Sequence, residues 1–476
     1  MLAMLTPSGR RQYAAAICSS ISVLMAGSTI GWITPILVGL LGPDSEVPMT
    51  ADESSWVASV IEVGNFVTPL PFGLLVDRWG RKPCLLSIAP MYIVSWLLVL
   101  VTRSVMVLYF VRFVQGLAMG VVFTVLPMYL AEIAGADIRG ALSAFFQGMW
   151  YMGILTEYCV GPYVSYQTLA YVSLAFPLIF LLTFVWIPES PYYLLMKGNE
   201  EKAGAALAWL RGESSAACVA EELHCMKMSV EKEMLKKGSW NDLVSTAADR
   251  KALLIVLIAA LAEIMSGITA ILTYASQTFG AADAKEGLTP DECTILMGFL
   301  VLVATIFAGG VVDVMGRKPL MLASALGCAV CELIAGIYYF LQEKTTIDVS
   351  SYRWVAFSSI TGYCVILSAG LGPVVATFQG ELFPSNTRGL ASAVVAISVT
   401  ISSFFWMKLY QVIADHVGIY LNYFLFSLCC IISSVFILFL VPETKGKTLA
   451  EIQCDLNRAH PPKKTARSGT TPEAVL

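Results

Sequence analysis

Charged side chains are scarce in this sequence, and histidine is nearly absent. Asp, Glu, Lys and Arg make up 13% of the 476 residues, roughly half their share in soluble domains. No basic patch of the kind that binds nucleic acid is present. The three histidines, His224, His416 and His460, lie far apart in the chain. These scarcities exclude an ordinary soluble protein and a nucleic-acid binder, and they predict no metal site, no cofactor and no enzyme chemistry.

Long polar stretches are also rare, because apolar runs occupy most of the chain. A helix needs about 20 mostly apolar residues to cross a bilayer and to satisfy its own backbone hydrogen bonds. The runs that meet this requirement are 13–38, 54–76, 83–102, 106–131, 141–162, 167–187, 252–279, 293–312, 319–341, 354–379, 389–412 and 419–441. The sequence therefore predicts an all-α membrane protein with about twelve transmembrane helices. The first run is long enough to span, so no cleavable signal peptide is predicted.

The 12 cysteines lie mostly within predicted helices or cytosolic stretches, which favours buried thiols over a disulfide framework. Cys328 and Cys331 form a C-x-x-C pair, but it lies within a predicted span and lacks the strand-to-helix setting of a redox motif.

Lys and Arg collect on one side of the predicted spans, at positions such as Arg10, Arg81 and Arg317. Acidic residues such as Asp52 and Asp291 mark the other side. Cytosolic loops carry the excess of basic residues, so both termini are predicted to be cytosolic.

Three short motifs occur twice, in the same order. "GLLVDRWGRKP" (73–83) is answered by "GGVVDVMGRKP" (309–319), "AEIAGADIRG" (131–140) by "GELFPSNTRG" (380–389), and "PES" (188–190) by "PET" (442–444). Offsets of about 240–250 residues indicate two repeated six-helix halves. We predict halves at 1–194 and 251–456, an amphipathic helical linker at 195–250, and a disordered cytosolic tail at 457–476.

The charged residues of these motifs are predicted to form a cytosolic gate. The predicted members are Asp77, Arg78, Arg81, Glu132, Arg139 and Glu189, with Asp313, Arg317, Glu381, Arg388 and Glu443 as their counterparts. Ion pairs among them would clasp the halves when the protein opens outward and release when it opens inward. Such pairs should be semi-exposed and worth about 1 kcal/mol each. The alternative is that these charges only mark topology.

The motifs, together with "RFVQGLAMGVVFTVLPMYLAEIAGADIRGAL" (112–142), "PESPYYLL" (188–195) and "VPETKGKTL" (441–449), resemble the sugar porter family of the major facilitator superfamily. Within it, the sequence is most similar to the insect facilitators of the trehalose-transporter type. The resemblance implies two pseudo-symmetric six-helix halves that alternate access to a midplane sugar site. It also implies a multi-pass plasma-membrane protein that functions as a monomer in the lipid bilayer.

Polar residues of the seventh span, "EIMSGITAILTYASQTF" (263–279), recur at helical spacing: Glu263, Ser266, Thr269 and Thr273. Such a stripe faces protein or water rather than lipid. The Ser266-Gly267 pair would let the helix bend. Helix–helix contact through small polar residues is the alternative interpretation.

The family resemblance extends the predicted substrate-binding set to Gln147, Tyr151, Glu263, Ser266, Thr269, Thr273, Tyr274, Ala376 and Ser403. Tyr274 is also a candidate for the outer gate. Several positions depart from the family pattern: Glu263 stands where sugar porters have a glutamine, Ala376 where they have a tryptophan, and Ser403 where many have an asparagine. Fewer amides and smaller side chains should weaken hexose binding and enlarge the cavity. The predicted cargo is therefore a disaccharide such as trehalose or another small sugar.

Proton-driven relatives carry an Asp in the first span where this sequence has Thr29, which favours facilitated diffusion. Three intramembrane acids complicate this prediction. Glu157 is expected near the outer mouth, where water makes a carboxylate inexpensive. No role is assigned to Glu62. Glu263 lies on the polar stripe, so proton symport through Glu263 stays an alternative, as do a non-transporting sugar sensor and a solute other than a sugar.

Overall fold

The computed structural model describes residues 7–42, 45–135, 139–235, 240–282, 288–383, 385–445 and 451, without the side chains of some helical positions. Over these ranges the chain is helical and contains no strand. Among the described residues, ten helices are long and apolar enough to cross a membrane, or eleven when one bent pair counts as a single span. Each of the twelve predicted spans corresponds to a helix or to a broken helix among the described residues, so the predicted all-α membrane fold is confirmed.

The first six spans are Pro7–Gly31 with Ile33–Leu40, Ala51–Val67 with Pro69–Trp79, Arg81–Leu86 with Ile88–Val101, Val105–Ile133, Arg139–Val160 and Tyr166–Phe184. The second span bends by 48° between its two helices. Pro69 begins the second of them, and a proline has no N–H to continue the hydrogen-bond ladder of the first.

The last six spans are Ala247–Met265 with Ile268–Thr273 and Ala275–Ala281, then Pro290–Met315, Arg317–Lys344, Arg353–Ala369 with Leu371–Leu382, Ser385–His416 and Ile419–Leu440. The seventh span is broken twice, first at the predicted Ser266-Gly267 pair and again at Tyr274. The tenth span is broken at Gly370, where the Ser324 hydroxyl donates to Ile366 O (3.0 Å) and accepts from the Leu371 N–H (3.3 Å). These side-chain bonds satisfy backbone groups that the break sets free within the membrane.

The predicted linker contains the helices Glu200–Arg211 and Ala220–Leu235. The first helix is capped by the Asn199 side chain and ends at Gly212, which has a left-handed backbone. Arg211 ties the two helices through Glu222 (2.6 Å) and donates to Ile133 O at the end of the fourth span (3.3 Å). The linker helices therefore pack against the same end of the bundle as the repeated motifs. The predicted tail, 457–476, lies outside the described residues.

The repeated charged turns have the same local structure. Gly80 and Gly316 both adopt positive φ angles, +105° and +85°, immediately before a helix begins. At the first turn, the Glu189 carboxylate accepts the Lys82 N–H at 3.1 and 3.2 Å. At the second, Glu443 accepts the N–H groups of Arg317 (3.2 Å) and Lys318 (3.1 Å).

Carboxylates at a helix N-terminus satisfy orphan N–H groups and complement the helix dipole. The PES and PET motifs therefore supply the caps for the helices that the two charged turns begin. We call the end of the bundle that holds both turns the motif face, and the other end the opposite face.

Replacing Gly80 by alanine should destabilise the fold by about 1–3 kcal/mol, because a non-glycine residue resists this backbone conformation. The new Cβ would also collide with Glu189 Oε2. Gly73→Ala is the matched control, because nothing lies within 4 Å of a Cβ there. Thermal unfolding of the two purified variants checks this prediction, and equal melting temperatures would contradict it.

Candidate functional site

The motif face holds a buried ion pair in the first half of the chain. Arg81 forms a bidentate ion pair with Glu132, with Nη2 at 2.9 Å from Oε1 and Nε at 3.0 Å from Oε2. Asp77 lies 3.7 Å from Arg81, and the Tyr193 ring stacks under the guanidinium at 5.2 Å. The Arg81 side chain is only 2% exposed, and that of Glu132 is 13% exposed. The prediction of semi-exposed pairs is wrong for this pair, because the helices pack around a bidentate contact.

The remaining predicted gate residues are placed as follows. Arg78 is exposed, and its main-chain carbonyl accepts the Tyr193 hydroxyl (2.8 Å). Glu189 and Glu443 act as helix caps. The side chains of Arg139, Asp313, Glu381 and Arg388 lie outside the described residues. Each of these contacts joins groups of the same half. Ion pairs between the halves therefore stay a prediction, and they are expected in the other state, in which the opposite face is open and the motif face is closed.

The two capping carboxylates differ in their electrostatics. Burial raises the pKa of Glu189 above its ordinary value, and the N–H groups of Ser190 and Lys82 offset this only in part. Burial also acts to raise the pKa of Glu443, but the N–H groups of Lys445, Arg317 and Lys318 outweigh it and lower that pKa overall. Hydrogen bonds to a carboxylate favour its ionised form, whereas desolvation disfavours it.

These shifts predict opposite pH trends for two matched variants. Ionised Glu443 stabilises the fold above about pH 4.5, and this contribution is lost as the pH falls through its lowered pKa. Ionisation of Glu189 costs stability as the pH rises through its raised pKa. The melting temperature lost in Glu443→Gln should therefore grow as the pH rises to about 4.5 and then level off, whereas the loss in Glu189→Gln should shrink as the pH rises above about 4.5. Parallel trends in thermal unfolding would contradict this assignment.

At the opposite face, the two halves are joined by hydrogen bonds to the broken seventh span. The Thr34 hydroxyl of the first span donates to the main-chain carbonyls of Leu272 (3.1 Å) and Thr273 (3.0 Å). The Tyr158 hydroxyl of the fifth span donates to the same Leu272 carbonyl (2.5 Å). Because Ile268–Thr273 ends here, its last carbonyls have no intrahelical partner. The break thus provides the acceptors that close this face.

A second contact closes the opposite face between the second and eleventh spans. Lys408 pairs with Asp52 (2.6 Å), donates to the Ser55 hydroxyl (2.7 Å) and lies over the Trp56 ring at 4.5 Å. Trp56 in turn packs against Phe404. An ammonium bound by both a carboxylate and an aromatic face contributes more stability than an isolated surface ion pair.

Between the two faces, the halves meet at a polar site. The Tyr151 hydroxyl of the fifth span lies 3.4 Å from the Ser368 hydroxyl, next to the break in the tenth span. Gln147 lies one helical turn from Tyr151, and both are partly exposed. From the seventh span, Glu263 Oε1 stands 3.3 Å from where a Cβ on Gly372 would lie.

Glu263 is partly exposed, and its carboxylate has no hydrogen-bond partner among the described residues. An amide, a phenol, a hydroxyl and a free carboxylate can together donate to and accept from the hydroxyls of a sugar. We call Gln147, Tyr151, Glu263 and Ser368 the central site.

Other predicted site residues belong to different contacts. Ser266 bonds the Tyr363 hydroxyl (2.7 Å) and its own helix, so it holds the seventh span against the tenth. Thr273 donates back to Thr269 O (2.7 Å), and the buried hydroxyl of Thr269 has no partner within the described ranges. The side chain of Ala376 lies outside the described residues.

The remaining two predicted site residues are buried against other spans. Tyr274 is fully buried, stacked on Tyr410, and donates to Met407 O, and its role in the outer gate stays a prediction. Ser403 donates to Glu62 across the halves (2.9 Å).

Glu157 does not lie in a watery outer mouth. It is fully buried and accepts from the hydroxyls of Ser28 and Ser173 (2.8 Å), tying the first, fifth and sixth spans together. Both hydroxyls bind Oε1, and Oε2 has no hydrogen-bond partner among the described residues. Hydroxyl donors reduce the cost of burying a carboxyl.

Sequence reasoning also missed Thr34 and Tyr158 as closing residues, because their acceptors are main-chain carbonyls that no side-chain pattern reveals. It missed Glu332 too, a buried acid of the ninth span that accepts from Cys430 (3.3 Å). The eleven cysteines of the described chain are unpaired, although Cys159, Cys218 and Cys225 are exposed rather than buried.

Two six-span sets that enclose a polar site and share contacts at one face define a membrane transporter of the major facilitator type. The family model described as "Sugar (and other) transporter" matches residues 15–456. The chain belongs to this sugar transporter family.

Several characterised relatives are facilitated trehalose transporters named Tret1. The protein from Polypedilum vanderplanki is 30% identical over 446 residues, which is 93% of this chain and 87% of that protein. The Apis mellifera ligustica protein is 29% identical over 93% of this chain and 87% of its own length. The Drosophila willistoni protein is 29% identical over 93% of this chain but only 50% of its own length, so this chain spans about half of that relative.

Solved structures of the Escherichia coli xylose transporter XylE share the fold. The partially occluded inward-open form has a TM-score of 0.77 at 21% identity, covering 92% of this chain and 100% of that one. The inward-open form has a TM-score of 0.76 at 22% identity, covering 93% of this chain and 99% of that one.

Proposed function

We propose that this protein carries trehalose or another small sugar across the plasma membrane by facilitated diffusion, through alternating access. The observation that carries the proposal is the central site, where Tyr151 and Ser368 bring the two halves together beside Gln147 and Glu263. A site shared by both halves is reshaped when they rock, as alternating access requires. Family membership and the Tret1 relatives support the choice of cargo.

The composition of the central site supports a sugar larger than a hexose. Its described polar groups are few, and the lack of a side chain at Gly372 lets Glu263 approach the backbone at the break of the tenth span. A longer cargo can compensate for few bonds per ring by making contacts with two rings. Trehalose fits this requirement, since it offers hydroxyls on two linked rings.

The surroundings of Arg112 favour facilitated diffusion over proton symport. The buried guanidinium donates to the main-chain carbonyls of Thr29 (2.5 Å) and Val57 (3.0 Å) and to the Gln115 side-chain oxygen (3.2 Å). Main-chain carbonyls of the first and second spans thus accept from Arg112, and Thr29 stands where proton-driven relatives carry an Asp. No carboxylate of the described chain accepts a hydrogen bond from this guanidinium. Glu62 interacts with it only through its charge, and the oxygens of Glu62 accept from Asn65 and Ser403 instead.

The proposed orientation places both termini and the motif face in the cytosol, because the basic residues collect there. The closed opposite face is then extracellular, and the central site is reached from the cytosolic side. The protein is proposed to work as a monomer, since the polar groups that define the site all come from one chain.

Uptake of labelled trehalose and glucose into oocytes, with and without a proton uncoupler, tests this function. The proposal expects saturable trehalose entry that survives the uncoupler. Entry of glucose alone would overturn the choice of cargo. No entry of either sugar by protein shown to be at the surface would favour a sensor or a different solute.

Variants of the central site sharpen this test. Gln147→Ala and Tyr151→Phe should each raise the KM for trehalose about ten-fold, because each removes a hydrogen bond to a hydroxyl of the bound sugar. Met152→Leu is the control, since its exposed side chain lies next to Tyr151 on the outer surface of the same helix. An unchanged KM in both site variants would place the sugar elsewhere.

Glu263 supports a second candidate, proton symport, because its carboxylate faces the site without a hydrogen-bond partner in the described structure. Symport predicts that the uncoupler abolishes accumulation and that Glu263→Gln leaves exchange of sugar but removes uphill transport. Facilitated diffusion predicts no accumulation in either protein.

A further inference from the structure

A polar network crosses the two halves away from the central site. On the second span, Glu62 and Asn65 are three residues apart and share one helix face, as do Thr400 and Ser403 on the eleventh. Ser403 Oγ donates to Glu62 Oε1 (2.9 Å), Asn65 Nδ2 donates to Glu62 Oε2 (3.0 Å), and the same Nδ2 approaches Thr400 Oγ1 (3.3 Å). Three hydrogen bonds thus join these four side chains, and two of the three cross between the halves.

The network is deeply buried. Glu62 is 5% exposed, Thr400 3% and Ser403 2%. Both oxygens of the carboxylate accept, and the Thr400 hydroxyl sends its own proton to Ala396 O (2.8 Å), which leaves its oxygen free to accept from Asn65. A buried carboxylate that loses a hydrogen-bond donor pays the cost of desolvation without compensation. Separating the two spans here is therefore costly.

The position of the network couples that cost to the transport cycle. The second and eleventh spans are also joined at the opposite face, by Asp52 and Lys408. Glu62 lies ten residues along the helix from Asp52, about 15 Å deeper. Opening the opposite face must move these two spans apart, so the bonds of Ser403 and Thr400 to the second span must break or exchange.

We propose that Glu62 is a positioning residue of the transport cycle: with Asn65 it latches the second span to Thr400 and Ser403, and the latch sets how much of the protein is closed at the opposite face. The proposal rests on the alternating access of the proposed function, but it does not depend on the identity of the cargo. Weakening the latch shifts the population toward the state that is open at the opposite face.

Hydrogen exchange of the full-length protein in lipid nanodiscs, without cargo, tests the latch. The variants are Glu62→Ala and the double variant Thr400→Val with Ser403→Ala, which removes only the partners on the eleventh span. Glu157→Gln is the control, because Glu157 is an equally buried acid of the first half whose hydroxyl donors, Ser28 and Ser173, lie in that same half.

Both latch variants should speed exchange about ten-fold at the opposite face, in 51–58 and 268–281, and slow it at the motif face, in 77–82 and 441–445. The control should change neither. Faster exchange at both faces would show mere loosening of the fold, and equal effects in Glu157→Gln would remove the special role of the cross-half bonds; either result overturns the proposal.

The double variant keeps the test decisive if Glu62→Ala does not fold. Uptake assays on the same variants separate this proposal from the proposed function. If trehalose is taken up but hydrogen exchange does not change in opposite directions at the two faces, only the latch is refuted. If hydrogen exchange does change in opposite directions but no sugar is taken up, the proposed cargo is refuted and the latch still holds.

Discussion

The closure of this structure depends on backbone carbonyls that a helix break leaves without hydrogen-bond partners. Within a membrane such groups must be satisfied by protein, because no water is available in the hydrocarbon core. The seventh span ends its middle helix at Thr273, and the carbonyls of Leu272 and Thr273 accept from Thr34 and Tyr158 of the other half. While the halves are together, these hydroxyls offset the cost of the break; when the face opens, water in the cavity can take their place. A broken helix thus becomes a reversible closure.

The same logic explains how the repeat is used. Each half begins a helix with a charged turn and caps it with the carboxylate of a distant PES or PET motif. The local structures match, yet Glu189 is held by fewer N–H donors against a larger desolvation effect, and the two pKa values shift in opposite directions. The two motifs therefore give the same backbone conformation, but the pKa values of their capping carboxylates differ. The bidentate pair of Arg81 and Glu132 stiffens the motif face of the first half.

The spans and the repeat could be predicted because they depend on composition and on short patterns. The break at Ser266-Gly267 was predicted for the same reason, since a serine and a glycine together weaken a helix locally. The central site could be predicted only in part. The polar stripe of the seventh span does face protein, but Glu263 reaches the site, Ser266 binds Tyr363, and Thr273 turns back to its own helix. Periodicity identifies a polar face without identifying the neighbour that it meets.

The contacts that were missed join residues far apart in the chain, such as Glu62 with Ser403 and Tyr158 with Leu272. Single-sequence patterns carry no information on which spans become neighbours. The error at Glu157 has a related cause, because two serines from different spans make its burial tolerable.

The most direct test of the closure is a distance measurement between nitroxide labels at Met106 and Trp354, exposed residues that begin the fourth and tenth spans at the opposite face. The native cysteines are replaced first, and the labelled protein is compared with a variant that also carries Thr34→Val and Tyr158→Phe. If the freed carbonyls close this face, the variant populates a longer distance than its parent. An unchanged distance distribution in a folded variant would contradict the account.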